Sequence, residues 1–270
     1  MTTETMTTET MTTETRSLKA IRSEIRSKGY AFQSILGFDS DPKTKKSNEA
    51  GSEFLTGIVY LQPDYRTCHF SKMAKCDGPC LNLSGRGGMS NVQLVRHDRT
   101  KAFYEDNDLF MELLRREIQS HIVRSTKKGL RPALRLNGTS DIDWSEIVRD
   151  FPDVTFYDYT KDLSRLRKWI NDPESMPKNY SVTLSYSSAS CVYSQRCFEL
   201  LDLSPTLNLA VVFRDIETLH HFMDYGFHGR AVIDGDKTDL RFLDPKGVIV
   251  GLYAKGPAKK DTSGFVIDRH

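Results

Sequence analysis

Three cysteines, Cys68, Cys76 and Cys80, fall within one short stretch, separated by seven and three residues, and Gly85-Arg86-Gly87-Gly88 follows at once. The stretch comes just after the first apolar run that reads as a strand, Phe54 to Leu61, so the thiols gather on a loop at one end of a sheet. Three soft donors converging on one point suit an iron–sulfur cluster or a zinc ion. Structural zinc usually takes thiols two to four residues apart and a second pair elsewhere, which this chain lacks. The nearby His69 adjoins Cys68, and placing both on one ion would strain the backbone. The spacing therefore favours a cluster, with zinc as the alternative and plain reduced cysteines as the third reading. A cubane 4Fe-4S cluster needs one ligand per iron, so three local cysteines leave one iron for a distant ligand, water or a substrate.

The rest of the chain divides by composition. Residues 1–15 are three copies of Met-Thr-Thr-Glu-Thr, a polar repeat with no apolar face, expected to be disordered. Residues 16–51 read as an N-terminal segment: a basic helix from Arg16 to Lys28, ended by Gly29, and a polar, mobile loop from Asp39 to Gly51. Residues 52–270 are long enough to bury one substantial core and read as a single α/β domain. The balance of 38 basic against 36 acidic residues does not announce a polyanionic partner. No run approaches the roughly 18 apolar residues that a bilayer helix needs, so no membrane is expected. Five cysteines without an export signal suggest a reducing cytoplasm.

Beyond the cysteines, Ser90 to Glu105 and Asn107 to Lys128 read as helices, with Asn107 as a cap. Apolar runs then alternate with helical stretches: Ala133 to Leu136, Val154 to Tyr157, Ser181 to Ser185, Leu207 to Phe213, Ala231 to Ile233 and Val248 to Ala254. Such alternation argues for a parallel sheet covered by helices. The fold class expected is α/β, an incomplete, TIM-like (β/α) barrel of six or seven mainly parallel strands.

In a parallel barrel, functional groups collect at the carboxyl ends of the strands. There this chain carries Asn137-Gly138-Thr139-Ser140-Asp141, Asp158 to Lys161, Asp234-Gly235-Asp236 and Lys255. Asp141, Asp158, Lys161, Asp234, Asp236 and Lys255 are the candidate catalytic groups, on a rim suited to a small polar ligand. Each also has an ordinary use: Ser140 or Asp141 could cap the helix near Trp144, and Asp-Gly-Asp is common turn chemistry. Gly85, Arg86, Gly87 and Gly88 could present backbone N–H groups and a guanidinium to a bound anion, or simply lead flexibly into the next helix. Cys191 and Cys197 read as core or surface thiols, with Cys191 near enough to the rim to be a fourth ligand.

The cysteine block, Arg135-Leu-Asn-Gly-Thr-Ser-Asp141, Phe156-Tyr-Asp-Tyr-Thr-Lys161, Val232-Ile-Asp-Gly-Asp236 and Leu240-Arg-Phe-Leu-Asp-Pro245 together resemble the bacteriophage "gene product 88" family. That resemblance implies a phage-encoded protein working in the cytoplasm of a bacterial host. More distantly, the layout resembles radical S-adenosylmethionine enzymes, in which a three-cysteine loop follows the first strand. It implies S-adenosylmethionine as a cosubstrate seated by Asn137, Thr139 and Ser140. That superfamily spaces its cysteines by three and two residues and follows the last with an aromatic, whereas Leu81 follows Cys80 here. The expected function is a redox or radical iron–sulfur protein acting on a small polar substrate. The alternative is a metal-stabilised binding protein that engages a host protein or nucleic acid through Arg86, Arg135 and the Arg16 to Lys28 segment.

Overall fold

The structure, a computed structural model, describes residues 16–38, 44, 47–48 and 52–269. The repeat at 1–15, and the 39–51 loop apart from residues 44, 47 and 48, lie outside the described residues. One nine-stranded sheet organises the chain. Its strands are β1 (Leu36–Gly37), β2 (Phe54–Val59), β3 (Arg131–Arg135), β4 (Thr155–Thr160), β5 (Tyr180–Ser185), β6 (Leu209–Phe213), β7 (Val232–Asp234), β8 (Ile249–Tyr253) and β9 (Val266–Ile267). The order is β1-β2-β3-β4-β5-β6-β8-β7, with β9 also pairing β6; β1 runs antiparallel to β2 and every other pairing is parallel.

Seven helices accompany the sheet among the described residues: α1 (Leu18–Ser27), α2 (Ser90–Glu105), α3 (Asn107–Lys127), α4 (Ser145–Asp150), α5 (Leu163–Asn171), α6 (Cys191–Leu203) and α7 (Ile216–Tyr225). Several begin where side-chain chemistry dictates. Asp162, Ser190 and Asp215 cap α5, α6 and α7 by accepting from the N–H of Arg165, Tyr193 and Thr218. The two N-terminal helices that stop at glycine do so because Gly29 and Gly129 take φ of 81° and 67°.

Connection handedness explains the layering. From β2 to β6 the strands advance in order, and right-handed crossovers then keep all the helices on one face. There Leu134, Phe156, Leu184, Val211 and Ile249 join Leu113, Ile118, Leu166 and Leu200 of the helices in the main core. The chain moves backwards from β7 to β8, and again from β8 to β9. A right-handed backward crossover must pass over the opposite face, and Leu240 and Phe242 of the first such connection indeed pack there with Phe54, Ala133 and Tyr157. β8 runs along the whole of β6, so β9 takes the other edge of β6, at Val212 and Phe213, beyond the two residues where β5 pairs with it.

Several expectations are corrected. The expected α/β class and mainly parallel sheet are present, and the sheet is open: among the described residues β7 pairs only with β8. Nine strands replace six or seven, because β1 and β9 are two-residue strands without an apolar run to announce them. Asn107 is the first residue of α3 rather than its cap, and Asp106 before it is drawn instead to Lys28 and Tyr30. Neither Ser140 nor Asp141 caps α4, whose N-cap is Trp144; Asp143 accepts from the Ser145 N–H at 2.9 Å.

The close seating of α7 on β8 provides a test. A Cβ on Gly251 would lie 2.3 Å from Leu219 Cδ1 and 3.2 Å from Phe213 Cε2, both core side chains with little room to move. Gly251→Ala is expected to lower unfolding free energy by about 1–3 kcal/mol, read from the urea midpoint; an unchanged midpoint would contradict this packing.

Candidate functional site

At the carboxyl ends of the parallel strands lies a cavity of ≈ 390 Å³. Cys68, Cys76 and Cys80 all line it. So do Asn137 to Asp141, Lys161, Asp236 and Lys255, which the sequence marked as rim residues. Asp158, Asp234 and the Gly85–Gly88 turn do not.

The cysteine loop is fastened to the sheet by its backbone. Asp64 Oδ1 accepts from the N–H of Arg66 and Thr67, at 2.8 and 2.9 Å, turning the chain into the loop. Asp141 N–H then donates to Thr67 O at 2.7 Å, and Ser187 Oγ to Ala74 O at 2.6 Å, so the loops after β3 and β5 each hold one part of it. Lys75, at φ 52°, adopts the left-handed conformation that lets Cys76 N–H reach back to Ser71 O at 3.1 Å. Cys80 is steadied through its neighbour Asn82, whose side chain and carbonyl accept from Arg96 Nη1 at 2.6 and 2.9 Å.

All five cysteines are free thiols. Cys68 Sγ donates to Thr139 O at 3.9 Å, and Cys80 Sγ accepts from Asn82 N–H at 3.4 Å. Burial pushes the Cys68 thiol up to about 12, aided by the charge of Asp141, and burial also pushes up Cys80. The thiols of Cys76 and Cys80 lie near enough to Cys68 to add to its shift. Cys191 is exposed and Cys197 buried, and neither lines the cavity. Among the described residues no group of three His, Cys, Asp or Glu is arranged to hold a metal ion.

The polar rim has two kinds of member. Asn137 is a hub within its own loop: its Oδ1 accepts from Ser140 Oγ, Ile142 N–H and Trp144 Nε1 at 2.8, 2.9 and 3.1 Å. Thr139 Oγ1 donates to Leu61 O at 2.5 Å. Asp141 accepts from Thr160 Oγ1 and Lys161 N–H, both at 2.7 Å, and pairs with Arg165. Those side chains build the wall. Lys161 differs: its Nζ reaches Ser185 Oγ at 2.8 Å and no carboxylate pairs with it among the described residues. Lys255, by contrast, pairs with Asp236, which also accepts from Tyr253 N–H at 3.2 Å.

Sequence reasoning did not find Arg96, Arg165 or Asp239. Their partners, Asn82, Asp141 and Arg135, lie 14, 24 and 104 residues away, beyond any local pattern. Gly85–Gly88 forms a tight 3-10 turn, and Gly87 is held so close that a Cβ there would lie 2.6 Å from Asn82 O. That turn serves the packing of the cysteine loop on α2.

The fold and cavity define a class: an open parallel α/β protein with one face of helices and a thiol-lined cavity at the strand carboxyl ends. The chain belongs to the bacteriophage gene product 88 family, whose model matches residues 34–269. No curated protein and no solved structure matches it.

Asp158, beneath this wall, gives a pH-dependent test. It is 1% exposed, and burial pushes its carboxyl up to about 7 against the opposing effect of Asn137 N–H at 2.7 Å and Tyr180 Oη at 2.8 Å. An unfolded aspartate ionises near roughly pH 4. Between pH 4 and 7 the folded state therefore binds more protons than the unfolded one, and this group's contribution to stability falls as pH rises. Asp158→Asn is expected to remove that component, on the order of a few kcal/mol across the window, in urea titrations at pH 5 and 7.5. Equal pH slopes for variant and wild type would refute the assignment.

Proposed function

We propose that this protein is an iron–sulfur protein in which Cys68, Cys76 and Cys80 hold a cluster at a cavity that receives a small polar substrate. The observation that carries the reading is that all three thiols open onto one cavity together with Lys161, Asp236 and Lys255. By ligand type the three thiols suit a cluster better than zinc, although no three donors are arranged around one point among the described residues, so the loop would have to draw its sulfurs together on binding. Among the described residues no histidine and no fourth cysteine lines the cavity, whereas structural zinc sites are usually completed by a second cysteine or histidine pair. A bound cluster of this type supplies one-electron chemistry and an iron open to a non-protein ligand.

The chain's own residues do the rest. Fastening of the loop by Asp141, Ser187 and the Arg96–Asn82 pair limits what the thiols lose in freedom on binding. The buried thiols are protonated without metal, so assembly releases protons. Lys161 favours the thiolate of Cys80 and offsets negative charge gathered there. Ala210, Val212, Leu252 and Phe265 give the cavity apolar walls. A reducing site of this kind fits the cytoplasm of a bacterial host, and S-adenosylmethionine would be one polar cosubstrate to try.

The alternative, a non-catalytic binding protein, draws support from the exposed apolar side chains Leu83 and Met89, which follow the last cysteine and do not line the cavity. Nucleic acid is disfavoured as its partner. Arg16, Arg22 and Lys28 are paired with Glu24, Glu112, Glu117 and Asp106 of the same chain, and Arg135 is only 4% exposed. Among the described residues no helix is long and apolar enough to cross a membrane.

Protein purified without oxygen is expected to be brown and to carry roughly four iron and four sulfide per chain. Changing Cys68, Cys76 and Cys80 to Ser should remove both, while Cys197→Ser should keep them. Colourless protein with stoichiometric zinc would end this reading. Deoxyadenosine formed from S-adenosylmethionine with dithionite would specify radical chemistry; its absence from a brown protein would leave electron transfer.

A further inference from the structure

The cavity holds a second set of groups that the cysteines do not explain. Arg135, at the end of β3, lines it at 4% exposure, and its Nε–H meets no acceptor. Its carboxylate partner among the described residues is held loosely: Nη1 stands 3.3 and 3.2 Å from the two oxygens of Asp239. Charge-assisted bonds of this kind usually close to roughly 2.7–2.9 Å. The guanidinium is oriented by stacking on Tyr159, 4.7 Å from the ring centroid, which leaves its in-plane donors available. A second buried guanidinium lies behind Gly235: Arg241 Nη1 would be 2.8 Å from a Cβ there, but this residue is engaged by the protein, its Nε paired with Asp244 at 3.4 Å and its Nη2 bonded to Thr238 O. Nearer the thiols, Lys161 faces Ser185 and the ring of Phe265, 5.2 Å away, with no carboxylate.

A buried guanidinium with a donor to spare, in a cavity that also carries apolar walls and a lysine with no carboxylate partner among the described residues, is a site for an organic anion. We propose that Arg135 anchors the carboxylate of the cavity's ligand, an organic acid whose apolar or aromatic body lies against Tyr159, Val212 and Leu252 and whose other end faces the cysteines. The inference rests on the cavity being the substrate site, as proposed above, and not on what the thiols hold. Asp239 both orients Arg135 and competes with the ligand for it, so the two residues affect binding in opposite directions.

The test uses the full chain without metal, kept reduced with a chelator, and two probes of one shape: benzoate and its neutral counterpart benzamide, titrated by calorimetry or ligand-observed NMR. Benzoate is expected to bind at least about tenfold more tightly than benzamide, the size of one or two hydrogen bonds to a charged group. Arg135→Gln should abolish that preference, Asp239→Asn should increase benzoate affinity severalfold, and Lys161→Met should weaken it less than the loss of Arg135. If Arg135→Gln does not fold, the double variant with Asp239→Asn removes the ion pair as a unit and should show the same loss. Wild-type protein that binds neither probe, that binds both alike, or that keeps its preference without Arg135 overturns the proposal. A chain that never assembles a cluster yet selects benzoate through Arg135 overturns only the cluster reading, whereas a brown protein without that selectivity overturns only this one.

Discussion

The handedness of strand connections governs this molecule. Forward crossovers from β2 to β6 commit the helices to one face, and the two backward steps, β7 to β8 and β8 to β9, commit their connections to the other. Those connections bring Asp236, Asp239, Lys255 and Phe265 to the cavity, and the second of them packs against the cysteine loop, with Ser263 Oγ donating to Lys75 O at 3.4 Å. The cavity is thus a consequence of strand order. A sheet continuing forward after β6 would have kept adding helices to the outer face, leaving the inner face without these walls.

The wall around the thiols depends on polar groups that are satisfied internally. Asp141 and Arg165 are 11% and 6% exposed at their side chains, and Asp141 also takes the Thr160 hydroxyl and the Lys161 N–H. Removing one partner of a buried pair costs about 3–5 kcal/mol, while an exposed pair such as Arg167–Glu199 contributes about 0–1 kcal/mol. Asp141 is consequently a structural tie between the β3 loop, the end of β4 and α5. Asn137 acts likewise, which separates these residues from Lys161 and Arg135, whose donor capacity is not consumed by the protein.

Much of this was legible in the sequence wherever the signal was local. Strands β2 to β8 coincide with β-branched and apolar runs, and Asp162, Ser190 and Asp215 stand where helices begin. The gathering of Cys68, Cys76, Cys80, Asn137, Lys161 and Asp236 followed from parallel strands having one common carboxyl end. What stayed hidden was non-local. Nothing in the periodicity of Val232 to Asp234 says that β8 will lie between it and β6, and strand β9 is too short for any period. Alternation along β4 does indicate, once its inner face is known from Tyr159 and Lys161, that Asp158 points the other way.

Charge in the cavity is arranged by distance from the thiols. Asp141, bound to Arg165, is the carboxylate that Cys68 feels most, and Lys161 is the cation that Cys80 feels most. Asp141 disfavours a thiolate at Cys68, whereas Lys161 favours one at Cys80, so these two sulfurs are electrostatically unequal before anything binds. Arg135 stands apart from both, tied to Asp239 on the connection between β7 and β8. An anion held there is kept in place by residues that take no part in fastening the cysteine loop. Arg135 closes β3 and Asp141 follows in the loop beyond it, so the strand that would present the anion's anchor also leads into one of the ties that hold the cysteine loop.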